Sequence, residues 1–203
     1  MKLTEFNDNL KGMLAICGKQ GSGKTLLATL LAYADYKKGR NIYSNYPLNF
    51  KHIPIDSIEV IKNARDGTVL LDEAYQLADS RRAGSKKNVL ISTILAKARK
   101  HRLRYIFIQQ YWRTVDVRIR NHADWILFPS IYSIDEEKQR PESLRVKVFT
   151  RDDTGDIVLE DIVILPLPEI AFRLYDTEAD VYEFKDEEKK KNTKGVRKLD
   201  EFA

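Results

Sequence analysis

The chain carries a single cysteine, Cys17, in 203 residues. No intramolecular disulfide can form, which excludes the stapled scaffolds of small secreted domains. The N-terminus lacks the basic start, apolar run and small-residue cleavage site of a signal peptide. Long hydrophobic runs are missing too. The longest mainly apolar stretches, "DWILFPSIY" and "IVLEDIVILPLP", fall well short of the roughly 20 residues that a membrane helix needs. A soluble, intracellular chain is expected. Histidine is scarce, and His52, His101 and His122 stand apart without ligand spacing, which argues against a zinc site. No internal repeat is present. Apolar residues make up 43% of the chain, enough for a core, and the length suits one domain.

Charge is unevenly placed. The net charge is +5, yet residues 81 to 120 hold twelve Lys and Arg against one acid, Asp116, so the rest of the chain is acidic at −6. One central basic block suits a face that meets a polyanion; the plainer alternative is a solvated helix surface.

Apolar runs alternate with amphipathic ones, the pattern of an α/β sheet with crossover helices. "MLAIC" (13 to 17) reads as a buried strand, and Lys24 to Lys38 as a helix stopped by Gly39. "NIYSNY" (41 to 46) reads as a strand ended by Pro47, "IDSIEVIKNA" as a short helix, and "TVLLDE" after the Asp66-Gly67 turn as a buried strand. Residues 88 to 100 have helical spacing and end in basic residues, which suits the negative end of a helix dipole. "YIFIQQ" (105 to 110) is the next strand, "VDVRIRNHA" a short helix, and "WILF" a strand ending at Pro129. Beyond it "LRVKVFT", "RDDTGD" and "IVLEDIVIL" alternate as an antiparallel hairpin, with Asp152 and Asp153 shaping its turn, and "AFRLYDT" reads as one more strand. Residues 1 to 185 form the expected domain. The stretch 186 to 203, with six basic and five acidic residues, is the expected flexible tail.

"GKQGSGKT" (18 to 25) sits between the first strand and its helix. In that context Gly18, Lys19, Gln20, Gly21, Ser22, Gly23, Lys24 and Thr25 form a loop whose backbone N–H groups wrap a polyphosphate. The glycines avoid a Cβ at the phosphates or permit positive φ. Lys24 meets the β and γ phosphates, and Thr25 offers a hydroxyl to Mg²⁺. ATP and Mg²⁺ are the expected cofactors. At the end of "TVLLDE", Asp72 would hold the Mg²⁺ through water and Glu73 would act as general base on the attacking water, an ordinary helix N-cap being the alternative. Gln109 and Gln110 end a strand where α/β sheets place ligands. Tyr111 and Trp112 beside Arg113 suit base stacking or a channel lining, and equally a core or interface. Cys17 reads as a small buried hydrophobe.

"GKQGSGKT", "TVLLDE" and "YIFIQQYWRTVDVRIRNHADWIL", in that order, resemble the FtsK/HerA superfamily of P-loop DNA-translocating ATPases, closest to the small genome-packaging ATPases of tailless internal-membrane viruses. "IYSNYPL", "DEAYQLADSR" and "YDTEADV" are similar to the zonular occludens toxin-like branch, and the likeness runs over residues 12 to 182. It implies a RecA-like (ASCE) three-layer α/β/α P-loop NTPase fold, with a mostly parallel sheet and antiparallel C-terminal additions. It implies a sensor glutamine, matched by Gln110, on a strand lying between the P-loop strand and the acidic strand. It also implies a homo-oligomeric ring, hexamer or pentamer, in which an arginine of one subunit completes the next subunit's site. Such a finger is worth roughly 10³ to 10⁵ in rate. The candidates are Arg99 and Arg102, or Arg81 and Arg82.

The resulting expectation is an ATPase that threads double-stranded DNA, without sequence preference, into a viral capsid. It would act in the host cytoplasm during assembly or on the virion, with capsid vertex proteins as further partners. A filamentous-phage extrusion ATPase is the alternative in the same superfamily, although such enzymes usually keep a membrane segment. A small-molecule P-loop kinase and a non-hydrolysing nucleotide switch are the alternatives from other classes.

Overall fold

Strand β1 (Met13–Cys17) is buried at all five positions and alternates between two cores. Leu14 and Ile16 point to one face of the sheet, whereas Met13, Ala15 and Cys17 point to the other. A strand apolar on both sides needs a cover on both sides. The computed structural model supplies it, describing residues 1–73, 88, 91–94, 96–98, 100–176 and 180–182.

On one face lie α1 (Leu3–Asn9) and α2 (Lys24–Lys37). On the other lie α3 (Ile58–Asn63), helical residues 91–94 with Ala98, and α4 (Val117–His122). Between them runs one eight-stranded sheet of order β3-β2-β4-β5-β1-β6-β7-β8. Its strands are β2 (Asn41–Ser44), β3 (Ile53–Pro54), β4 (Gly67–Asp72), β5 (Leu103–Gln109), β6 (Trp125–Asp135), β7 (Arg140–Arg151) and β8 (Ile157–Pro166). The pairs among β1 to β6 are parallel, and β6–β7 and β7–β8 are antiparallel. The three-layer arrangement and the antiparallel C-terminal hairpin match the expected fold class. β5 lies between β1 and β4, as the resemblance implies. Each fully buried Leu or Ile of these cores, such as Leu14, Leu27 and Ile106, contributes about 1.5–3 kcal/mol.

Three segment readings are corrected. The strand of residues 41 to 46 stops at Ser44, because the Ser44 hydroxyl donates to the Tyr46 carbonyl at 2.6 Å and turns the chain. The strand expected to end at Pro129 continues to Asp135; β6 leaves its β1 neighbour after Leu127, so a residue without an N–H costs that ladder nothing. "AFRLYDT" is not a strand: residues Glu169–Arg173 form a 3₁₀ turn that packs Ala171 against the α2 face. Two short elements, α1 and β3, carried no clear signal in sequence.

The basic block is not one face either. Arg104 is buried inside β5, donating to Asp35 at 3.0 Å and to Asn7 at 2.6 Å. Arg102 stands before β5 and pairs with Asp66, whereas Arg113 lies beyond its other end, over the Tyr111 ring. Seven extended residues separate these ends by about 20 Å. Asp152 does shape the hairpin turn, accepting from the Thr154 and Asp156 amides at 2.9 Å each. The expected tail from residue 186 onward lies outside the described residues.

Candidate functional site

The C-terminal ends of β1, β4 and β5 converge on one open cavity of about 560 Å³. β1 delivers the glycine-rich loop to it. Gly21 and Gly23 hold φ of +74° and +87°, conformations that side chains with a Cβ resist, and a Cβ on Gly23 would also stand 2.9 Å from Leu144. Gly23 is the N-cap of α2, whose first residues, Lys24 and Thr25, line the cavity. The loop is tethered at its start, where the Gly18 amide donates to the Gln110 carbonyl at 3.1 Å.

β4 delivers the acids. The Thr25 hydroxyl donates to Asp72 Oδ2 at 3.1 Å, so the two residues read as Mg²⁺ ligands are in contact. Burial pushes the Asp72 carboxyl up to about 6, and neighbouring Glu73 adds to the rise against the Thr25 hydrogen bond and Lys24. Burial pushes the Lys24 ammonium down, with Asp72 and Glu73 opposing. Lys24 Nζ donates to the Lys19 carbonyl at 2.8 Å, folded back on its own loop. Glu73 lines the cavity with φ of +45°, a strained value for a non-glycine residue of the kind concentrated at functional sites. The Cys17 thiol, pushed up to about 12 by burial, is inert packing.

β5 delivers the two glutamines, and both line the cavity. They differ in state. Gln110 is exposed and contributes its carbonyl to Gly18. Gln109 is buried, and its Oε1 has no partner in the protein. Buried polar atoms are nearly always satisfied, so an orphan facing a cavity marks a place for a ligand or water. Ser22 Oγ is a second such atom, within the loop itself.

A hydroxyl and a carboxylate in contact beside a phosphate-sized loop fit Mg²⁺, which takes few protein oxygens and completes its shell with phosphate and water. Among the described residues no group of three His, Cys, Asp or Glu forms an all-protein metal cage. The cavity also has a wall that sequence reading missed: Tyr46 beyond β2, and Tyr175, Asp176, Asp180 and Val181 from the chain after the 3₁₀ turn. The phrases "IYSNYPL" and "YDTEADV", which carry part of the resemblance, contain these residues. Of the arginine candidates, Arg102 sits at the sheet end opposite the cavity; Arg81, Arg82 and Arg99 lie outside the described residues.

No family model matches the chain. Comparison with solved structures finds the N-terminal domain of zonular occludens toxin from Neisseria meningitidis, with TM-score 0.52 at 15% identity, covering 82% of this chain and 100% of that one. It also finds a second solved ATPase domain, with TM-score 0.53 at 12% identity, covering 88% of this chain and 92% of that one. The chain has the P-loop NTPase fold. More distant is the genome packaging NTPase B204 from Sulfolobus turreted icosahedral virus 2, at TM-score 0.45 and 12% identity, covering 75% of this chain and 98% of that one. Among curated proteins, the uncharacterized ORF2 proteins of Spiroplasma virus SpV1-C74 and SpV1-R8A2 B are each 32% identical over 124 residues, 56% of this chain. The match spans only 37% of the length of those relatives. No described helix is long and apolar enough to cross a membrane.

Proposed function

We propose that the chain is an ATP-hydrolysing DNA translocase that works as a ring of identical subunits. The observation that carries the hydrolytic part is the Thr25–Asp72 contact, with strained Glu73 next in sequence at the same cavity. The loop amides and Lys24 would bind the triphosphate, and Thr25 and Asp72 would hold Mg²⁺, which when bound neutralises charge on the phosphates. Glu73 would take the proton of the attacking water. Gln109, buried with a free Oε1, suits orientation of that water or of the γ-phosphate better than exposed Gln110 does.

The DNA part is supported by the FtsK/HerA resemblance, and placement in a virus by the 32% identity to the two Spiroplasma virus proteins. Genome packaging into a capsid is our leading reading. Phage extrusion is the second, favoured by the phrases shared with the zonular occludens toxin-like branch. An arginine from the adjacent subunit would complete each site, and contacts to phosphates without base readout would let the motor pass any sequence.

The test is the ATPase rate with and without duplex DNA. Stimulation at low salt that falls steeply as salt rises is expected of a motor that grips phosphates. Hydrolysis indifferent to DNA at every salt concentration points instead to a kinase or switch.

A further inference from the structure

Ladder pairing between β2 and β4 ends at Ser44 and Leu70. The next residue of that strand, Asn45, extends it with its side chain. Its Oδ1 accepts from the Asp72 amide at 2.8 Å, and its Nδ2 donates to the Asp72 carbonyl at 2.7 Å. These two bonds imitate a backbone pair two residues beyond Leu70. From the opposite side the Glu73 amide donates to the Ile108 carbonyl at 3.2 Å. The Asp72–Glu73 peptide is therefore clamped between an asparagine side chain and β5 at the point where Glu73 turns to φ of +45°. Asn45 is fully buried, and a carboxamide there, unlike a hydrocarbon, satisfies both backbone groups.

The main chain of Asn45 is engaged as well. Its carbonyl accepts from the Tyr182 amide at 2.6 Å. Tyr182 also stacks on His52 and shares a 2.9 Å hydrogen bond with its Nε2. Upstream in the same segment, the Asn49 amide donates to the Leu174 carbonyl at 2.8 Å, and the Tyr175 ring meets Tyr46 edge-on at 6.4 Å. Tyr175, Asp176, Asp180 and Val181 then form a wall of the cavity. A single residue thus touches both the catalytic turn and the C-terminal wall.

We propose that Asn45 is a positioning residue for Glu73, and that through it the wall segment around Tyr175 and Tyr182 is tied to the hydrolytic end of the cavity. The proposal rests on the reading of Glu73 as general base. It adds that seating of the C-terminal segment controls where that carboxylate stands, so turnover can change without a change in nucleotide binding.

The test measures kcat for ATP, affinity for a slowly hydrolysed ATP analogue, and hydrogen exchange at the Asp72 and Tyr182 amides, in wild type, Glu73→Gln, Asn45→Ala, Tyr182→Ala and Tyr182→Pro. Asn45→Ala is expected to lower kcat on the order of 10²-fold, the loss that about 1 Å of displacement produces, with analogue affinity at the wild-type value and both amides exchanging faster. Tyr182→Pro removes the N–H given to Asn45 and is expected to lower kcat more than Tyr182→Ala, which keeps it; this pair carries the test if Asn45→Ala does not fold. Wild-type kcat in Asn45→Ala or Tyr182→Pro, with Glu73→Gln inactive, overturns the inference and leaves the proposed function standing. Equal losses of turnover and analogue binding also overturn it, since they mark a collapsed cavity. If wild type itself hydrolyses no ATP, the proposed function fails, and unchanged exchange of the two amides in Asn45→Ala then overturns the link independently.

Discussion

Thr25 and Asp72 close the candidate site: a hydroxyl on the first turn of α2 donates to a carboxylate at the end of β4 over 3.1 Å, joining segments 47 residues apart. A pair so placed serves one cation and one phosphate chain. Thr25→Ala is expected to weaken ATP binding in the presence of Mg²⁺ and to leave Mg²⁺-free binding unchanged, which a fluorescent analogue titrated with and without EDTA will read. Equal affinity for both forms in wild type and variant removes Thr25 from the metal site.

Glu73 combines a chemical role with a strained backbone. Glu73→Gln is expected to keep ATP affinity and to lower kcat by about 10²–10⁴, the range that positioned acid–base groups supply. Glu73→Gly removes the same carboxylate but suits φ of +45°; it is expected to match the loss of turnover while unfolding at equal or higher urea than Glu73→Gln. Near-normal turnover in either variant excludes Glu73 as the base.

Much of this site was legible in the sequence because its parts are local. A glycine loop between a buried strand and a helix, and acids ending an apolar run, are read from neighbours in the chain. The Asn45 clamp and the wall from Tyr175 to Tyr182 were not, because they join residues far apart in sequence through backbone groups that any residue type carries. Arg104 misleads for a related reason: in composition it counts with the basic block, whereas its partner Asp35 lies on α2, 69 residues away. The strand through Pro129 reads short in sequence because a proline signals a break unless one knows that β1 has already ended beside it.

Gln109 and Gln110 make opposite predictions by exposure. Gln109→Ala removes a buried amide whose Oε1 faces no protein donor, and kcat is expected to fall with ATP affinity little changed. Gln110→Ala keeps the carbonyl that holds Gly18, and a much smaller effect is expected. The reverse order would return the sensor role to Gln110, the position the family resemblance implies.

Asp35 and Arg104 form a buried ion pair at 3.0 Å, each side chain 6% exposed. Burial alone would raise the Asp35 carboxyl, but the Arg104 guanidinium and the hydrogen bonds from Thr68 and Asn7 outweigh it and hold the group below its ordinary value. The unfolded chain therefore takes up this proton first as pH falls. The contribution of the pair is complete above about pH 4, near the unfolded carboxyl value, and is lost as pH drops through the lower folded one. Urea unfolding from pH 7 to pH 3 is expected to show a shallower acid loss for Asp35→Asn than for wild type. At pH 7, Asp35→Ala leaves Arg104 buried without its counter-charge and is expected to cost about 3–5 kcal/mol. Replacing both residues by apolar ones is expected to cost less than the single change, because the dominant penalty is the stranded charge rather than the loss of attraction. A single-variant cost under about 1 kcal/mol, the range of exposed pairs, would show that Arg104 reaches water when Asp35 is removed.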